Sequence, residues 1–152
     1  MPALTLSSSD PDAPDARACL DAYFALIQSL IPGSTAPHVT DPHAADFRPP
    51  DGLFLLARLG DDTIGCGSLR RHDVTTGEAK RLWVAPAARG RGTARALMAD
   101  LESAARRLGM TRLILDTNAA LTEALALYAA LGWTAIPPYT GPPADRWFGK
   151  TL

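Results

Sequence analysis

The chain has 152 residues, 47% of them hydrophobic, and a formal net charge of −1, the size and balance of one globular domain, 1–152, with an ordinary core. No apolar run approaches the roughly 20 residues of a membrane span, and the opening MPALTLSSSDPD has no basic region followed by an apolar one. No signal peptide, no membrane partner and a cytoplasmic location are therefore expected. The charge is uneven: residues 1–79 carry 5 basic and 11 acidic side chains, and residues 80–112 carry 8 and 2. So local a basic segment in an otherwise acidic chain suits a small polyanionic ligand and not a nucleic acid.

In chain order, residues 4–7 read as a short strand. Pro14 opens a helix carrying Ala18, Leu20, Tyr23, Phe24, Ile27 and Leu30, which stops at Pro32-Gly33. Residues 32–52 hold five prolines, two histidines and three aspartates, a long loop with one short helix near 42–47. Residues 53–59 form a nearly unbroken apolar strand, and Gly60-Asp61-Asp62 turns it into a strand over 63–71. Gly65 and Gly67 there suggest a bulge or a close backbone contact. A turn at 73–77 leads to a strand over 78–85, ended by Pro86. A helix follows from Ala94 to Leu108, closed by Gly109. Residues 112–116 make a short buried strand, 121–131 a helix ended by Gly132, and 133–136 and 146–151 the last two strands. A strand–helix–strand unit of this length is a right-handed crossover, so the 78–85 and 112–116 strands should be parallel.

Arg89-Gly90-Arg91-Gly92-Thr93-Ala94-Arg95 joins the fourth strand to its helix. Two glycines let backbone approach a ligand, and the first helical turn leaves N–H groups pointing outward. With the helix dipole and Arg89, Arg91 and Arg95, these describe a pyrophosphate cradle. A Walker A loop would need a lysine and a spacing that are absent, and a dinucleotide fingerprint would need glycine where Arg95 stands.

The pattern Arg89, Gly92, Ala94 after Leu82-Trp83-Val84-Ala85-Pro86 strongly resembles the coenzyme A-binding motif of the GNAT acetyltransferase superfamily. Ala124, Leu127, Tyr128, Gly132 and Trp133 resemble its second signature. The element order resembles the GNAT fold over essentially the full length: mixed α/β, a mostly antiparallel central sheet, helices on both faces and a parallel fourth/fifth strand pair. The resemblance implies N-acetyl transfer from acetyl-CoA to a primary amine of a small molecule or peptide, by direct attack in a ternary complex. It implies no metal and leaves a homodimer open. The rival function is an idle acyl-CoA-sensing module.

The resemblance implies cofactor contacts from the backbone of Leu82, Trp83 and Val84 and from Arg89, Gly90, Arg91, Gly92, Thr93, Ala94 and Arg95. Asn118 either bonds the cofactor or caps the next helix. Tyr128 is the candidate general acid for the thiolate, against a plain core role. Glu78 is the candidate base, against an ion pair with Lys80; Asp116 and His72 are alternatives. His38, Asp41 and His43 have neither ligand spacing nor rigid scaffold for a metal. Cys19 and Cys66 read as buried reduced thiols. Acceptor choice falls to 32–52, the first helix and 137–145, and the acidic first half leans toward a cationic amine.

Overall fold

The computed structural model describes residues 2–34 and 44–152. Its helices are α1 (Pro14–Leu30), α2 (Thr93–Arg107) and α3 (Thr122–Ala130). Its strands are β1 (Leu4–Ser8), β2 (Gly52–Leu59), β3 (Asp62–Arg71), β4 (Thr76–Val84), β5 (Arg112–Thr117), β6 (Thr134–Ala135) and β7 (Arg146–Thr151). The strands form one sheet in the order β1-β2-β3-β4-β5-β7-β6. All neighbours are antiparallel except β4 and β5, which are parallel, as the crossover length requires.

The uninterrupted apolar run of β2 is explained by burial on both faces. Phe54 and Leu56 pack with Ala16, Cys19 and Leu20 of α1 on one side of the sheet. Leu55 and Ala57 pack with Leu97, Met98 and Leu101 of α2 on the other, where Tyr128 of α3 also lies. Cys19 and Cys66 are both buried and unbridged. Helices thus cover both faces of the sheet.

Element ends differ from the sequence expectation where side chains close turns. The Asp73 carboxylate accepts the backbone N–H groups of Thr75 and Thr76 at 2.9 and 2.8 Å. This tight turn lets β4 begin at Thr76, paired with Arg112. The short helix expected near 42–47 is a 3₁₀ turn at Ala44–Phe47. The histidine–aspartate trio His38, Asp41 and His43 lies outside the described residues.

Two features of β4 position everything that follows. It pairs with β5 only over Thr76–Arg112, Gly77–Leu113 and Glu78–Ile114, after which the two strands part. It also carries a bulge: Lys80 pairs with Ser68 and Trp83 with Cys66, so Arg81 and Leu82 together oppose the single residue Gly67. Arg81 sits at φ 58°, in the left-handed region, at a cost of about 1–2 kcal/mol for a residue with a Cβ. The irregularity expected from Gly65 and Gly67 is therefore present twice: opposite Gly67 the extra residue is on β4, and beside Gly65 it is Ile64 of β3 itself, between the Thr63–Arg58 and Gly65–Ala57 pairs. Gly65 is needed for close approach, since a Cβ there would stand 2.7 Å from the Trp83 carbonyl oxygen.

Candidate active site

A cavity of about 1230 Å³ occupies the fork between β4 and β5. That exceeds the roughly 300–1,000 Å³ typical of a pocket for one drug-sized ligand. It runs from the turn before α2, past the parted strand ends, to α1 on the other face of the sheet.

At the α2 end, Gly90 and Gly92 hold φ of 79° and 77°, backbone that only glycine adopts at little cost. Gly92 is the N-cap of α2, and no side chain caps the helix. The N–H groups of the first turn are left for a ligand. Thr93 is 2% exposed, and its hydroxyl oxygen is buried without a hydrogen-bond partner. A buried hydroxyl without a partner costs free energy unless something outside the chain satisfies it. Arg89 and Arg95 stand on the wall, Arg89 with Glu123 at 3.5 Å. An anionic, multiply accepting group fits this end.

Every cofactor-contact residue expected from the sequence lines the cavity except Arg91, which is exposed and off the wall. Asn118 lines it too, but caps no helix. Its side-chain oxygen accepts the Ala120 N–H at 2.9 Å, its amide donates to the Pro143 carbonyl at 2.6 Å, and the N-cap of α3 is Leu121. Asn118 thus ties the end of β5 to the proline-rich segment at 137–145. Along the fork, β4 beyond Glu78 faces β5 without pairing to it. Apart from the Val84 carbonyl, which accepts from Arg89 Nε at 3.4 Å, main-chain groups on that side are open to a ligand that pairs like a strand.

Tyr128 stands on the wall at 7% exposure, its ring against Trp133 and Phe148 at centroid distances of 6.0 and 6.2 Å. It belongs to the core and to the cavity at once. Burial lifts its phenol well above the ordinary tyrosine value, so the hydroxyl keeps its proton throughout the neutral and mildly alkaline range.

Glu78 lies elsewhere than the sequence suggests. It is 1% exposed and absent from the cavity wall. Arg70 Nε donates to its Oε1 at 2.8 Å and the Tyr139 hydroxyl to its Oε2 at 2.7 Å, while Lys80 Nζ stands 3.5 Å from Oε2. The ion pair with Lys80 is real but is one of three partners. Burial, followed by the bond to Glu78, holds the Tyr139 phenol far above its usual value. His72 meets Tyr139 edge-on at 5.8 Å and is also off the cavity wall.

Two carboxylates line the cavity among the described residues: Glu123, beside Arg89, and Asp116, near the end of β5. Lys80 Nζ donates to its Oδ1 at 3.3 Å and the Thr140 hydroxyl to its Oδ2 at 2.8 Å. Trp147 Nε1 donates to the same Thr140 oxygen at 2.9 Å. Indole nitrogen is a donor only, so the single hydroxyl hydrogen of Thr140 is committed to Asp116. Lys80, Asp116 and Thr140 line the cavity together, with Glu78 behind Lys80.

Arg81 is the residue that period-two strand reading misses. The bulge places it beside Lys80 on the α1 face, its guanidinium 5.3 Å from the Phe24 ring centre and 5.0 Å from that of Phe47. The signal was present: apolar residues at 79, 82 and 84 break the alternation between 79 and 82.

Residues 21–133 match the family model described as Acetyltransferase (GNAT) family. The chain is 32% identical, over 161 aligned positions covering the whole of both chains, to the IAA acetyltransferase of Azospirillum brasilense. Its fold matches the crystal structure of a GNAT-family acetyltransferase from Staphylococcus aureus Mu50 with a TM-score of 0.82, at 16% identity over 99% of each chain. It matches that of a GNAT-family acetyltransferase from Elizabethkingia anophelis with acetyl-CoA bound with a TM-score of 0.68, at 19% identity over 98% of each.

The Glu78 cluster makes a direct stability prediction. Tyr139→Phe leaves Oε2 of a buried carboxylate with Lys80 alone, and should cost about 1.5–3 kcal/mol, the range for hydrogen bonds to charged groups. Urea unfolding of the two proteins measures it, and an unchanged midpoint would show that water replaces the phenol.

Proposed function

The chain belongs to the GNAT acetyltransferase family, and from that premise we propose that it transfers an acetyl group from acetyl-CoA to a primary amine by direct attack in a ternary complex. The observation that carries the proposal is one continuous cavity joining an uncapped helix N-terminus, with its orphaned Thr93 hydroxyl, to the unpaired edge of β4 and then to Asp116. The first turn of α2, Thr93, Arg89 and Arg95 would hold the phosphates, and the open edge of β4 from Leu82 to Val84 the pantetheine chain. When bound, acetyl-CoA supplies an acetyl thioester.

The reaction forms a nitrogen–carbon bond, breaks the carbon–sulfur bond, removes a proton from nitrogen and returns one to sulfur. A primary amine with pKa near ~10.4 is almost wholly protonated at neutral pH and must become neutral to attack. Lys80 and Arg81 beside it favour the neutral form by like-charge repulsion. Asp116 accepts the proton, oriented by Thr140 and Trp147, and Lys80 links it to Glu78, which acts from behind as an anchor. The proton Asp116 takes is the ammonium's; once the lone pair is given to carbon the nitrogen is far more acidic, and its second proton passes to water. Tyr128 gives its proton to the departing sulfur, and a main-chain N–H on β4 polarises the thioester carbonyl. No step calls for a metal or for either cysteine.

Three measurements test this. Thr93→Val keeps the branched shape and removes only a hydroxyl that has no partner, so thermal stability should hold or rise. Acetyl-CoA affinity by calorimetry should fall roughly tenfold or more, the worth of a hydrogen bond to a charged group. Equal affinity would remove Thr93 from the cradle.

Tyr128→Phe retains the ring packing and should lower kcat by about 10²-fold with acetyl-CoA affinity unchanged. An unaltered kcat would leave Tyr128 a core residue. Bound acetyl-CoA with no thiol release for any amine would favour the sensing module.

Asp116→Asn should depress kcat/KM most at neutral pH. It should approach the parent protein toward about pH 10, where the amine is already largely neutral and needs no acceptor for its proton. Profiles displaced by a constant factor across the range would make Asp116 a purely structural residue.

A further inference from the structure

One side chain crosses the cofactor half of the cavity. Arg89 follows the short turn after β4, and its Nε donates to the Val84 carbonyl at 3.4 Å. Its Nη1 stands 3.5 Å from Oε2 of Glu123. Val84 is the last residue of β4, whereas Glu123 lies in the first turn of α3, the helix that follows β5. A single guanidinium thus touches both sides of the fork. Val84, Arg89 and Glu123 all line the cavity.

Neither contact holds the fold together. At 3.4 Å the bond to Val84 is longer than the usual range of about 2.7–3.2 Å. The Glu123 side chain is 74% exposed, and an ion pair so open to water adds little stability. Both contacts nevertheless tie up groups that the cofactor needs. The Val84 carbonyl lies on the edge of β4 that is open to a strand-like ligand, and Arg89 is one of the cations at the phosphate end. Glu123 pairs with Arg89 and with no other cation among the described residues. A pyrophosphate carries more charge than one carboxylate and competes for the same guanidinium. Glu123 is already largely in water, so it yields the guanidinium at small cost.

We propose that Arg89 and Glu123 form a clasp across the fork in the free protein, which acetyl-CoA must open to bind. Arg89 leaves Glu123 for a phosphate, and its departure frees the Val84 carbonyl to accept an amide N–H of the pantetheine chain. Glu123 therefore restrains the affinity for the cofactor although it stands on the wall of its site, and its removal strengthens binding. The proposal rests on the acetyl-CoA reading above.

Calorimetry of acetyl-CoA binding to the full chain and to its E123Q, R89Q and E123Q/R89Q variants tests it. E123Q keeps the size of the side chain and should tighten binding about two- to fivefold, the range for an exposed ion pair, with thermal stability little changed. R89Q should bind more weakly yet measurably, because Thr93, Arg95 and the first turn of α2 remain. The gain from E123Q should then shrink in the R89Q chain, where there is no clasp to open. Simple repulsion between Glu123 and the phosphates predicts the reverse, since Glu123 has lost its cation there, so an equal or larger gain overturns the clasp. Unchanged or weaker binding by E123Q overturns it as well, and so does R89Q binding as tightly as the parent chain or not at all. Binding by E123Q where the parent chain binds none supports the clasp. Failure of both to bind acetyl-CoA overturns the acetyl-CoA reading itself.

Discussion

The separation of β4 from β5 after the Glu78–Ile114 pair is the constraint on which the rest depends. A strand in the middle of a sheet normally has both edges paired, and unpaired main-chain groups are tolerated only where water or a ligand reaches them. Here the open edge lies inside the fold and not at its margin. β5 keeps its other partner, β7, as far as Thr117, so the sheet does not unravel when the fork opens. The bulge at Arg81 solves the packing problem that goes with it. Strict alternation from Ala79 would send Arg81 and Trp83 under α2 and turn Leu82 and Val84 toward α1. One extra residue reverses the phase, so that Leu82 and Val84 join the α2 core and Trp83 packs on the α1 side. Left-handed backbone at one non-glycine residue costs about 1–2 kcal/mol, comparable to the gain from burying a single large apolar side chain.

Charge on the fork is organised by burial in the same way. Glu78 has no water to solvate it, and an isolated buried carboxylate would be strongly destabilising. Arg70, Tyr139 and Lys80 supply its partners from β3, the 137–145 segment and its own strand. The cluster thus pins the proline-rich segment onto β4, which holds Thr140 within reach of Asp116. Lys80 sits between two carboxylates, one buried and one at the cavity. The order of the wall around Asp116 therefore follows from satisfying a charge that is not itself on the wall.

Local signals made much of this legible in the sequence. The ends of α1 and α2 follow from Pro14, Gly92 and Gly109, and the parallel pairing of β4 with β5 from the length of the crossover. The cradle is readable because its glycines, its arginines and the helix that follows are contiguous. What could not be read depends on contacts distant in the chain. Glu78 looks like a carboxylate on a strand near the chemistry until Tyr139, 61 residues later, closes over it. Asn118 reads as either a cofactor contact or a helix cap, and only the structure shows its amide held by the Pro143 carbonyl. Arg81 could have been found from the broken alternation around it, but not the face to which the bulge turns it.

The proposed transfer asks the amine to shed its proton, and nearby positive charge favours the neutral form. Lys80 and Arg81 stand on adjacent residues of the same face only because the bulge turns both there. One irregularity in one strand therefore places both cations on the opposite face of the sheet from the helices that form the cradle wall.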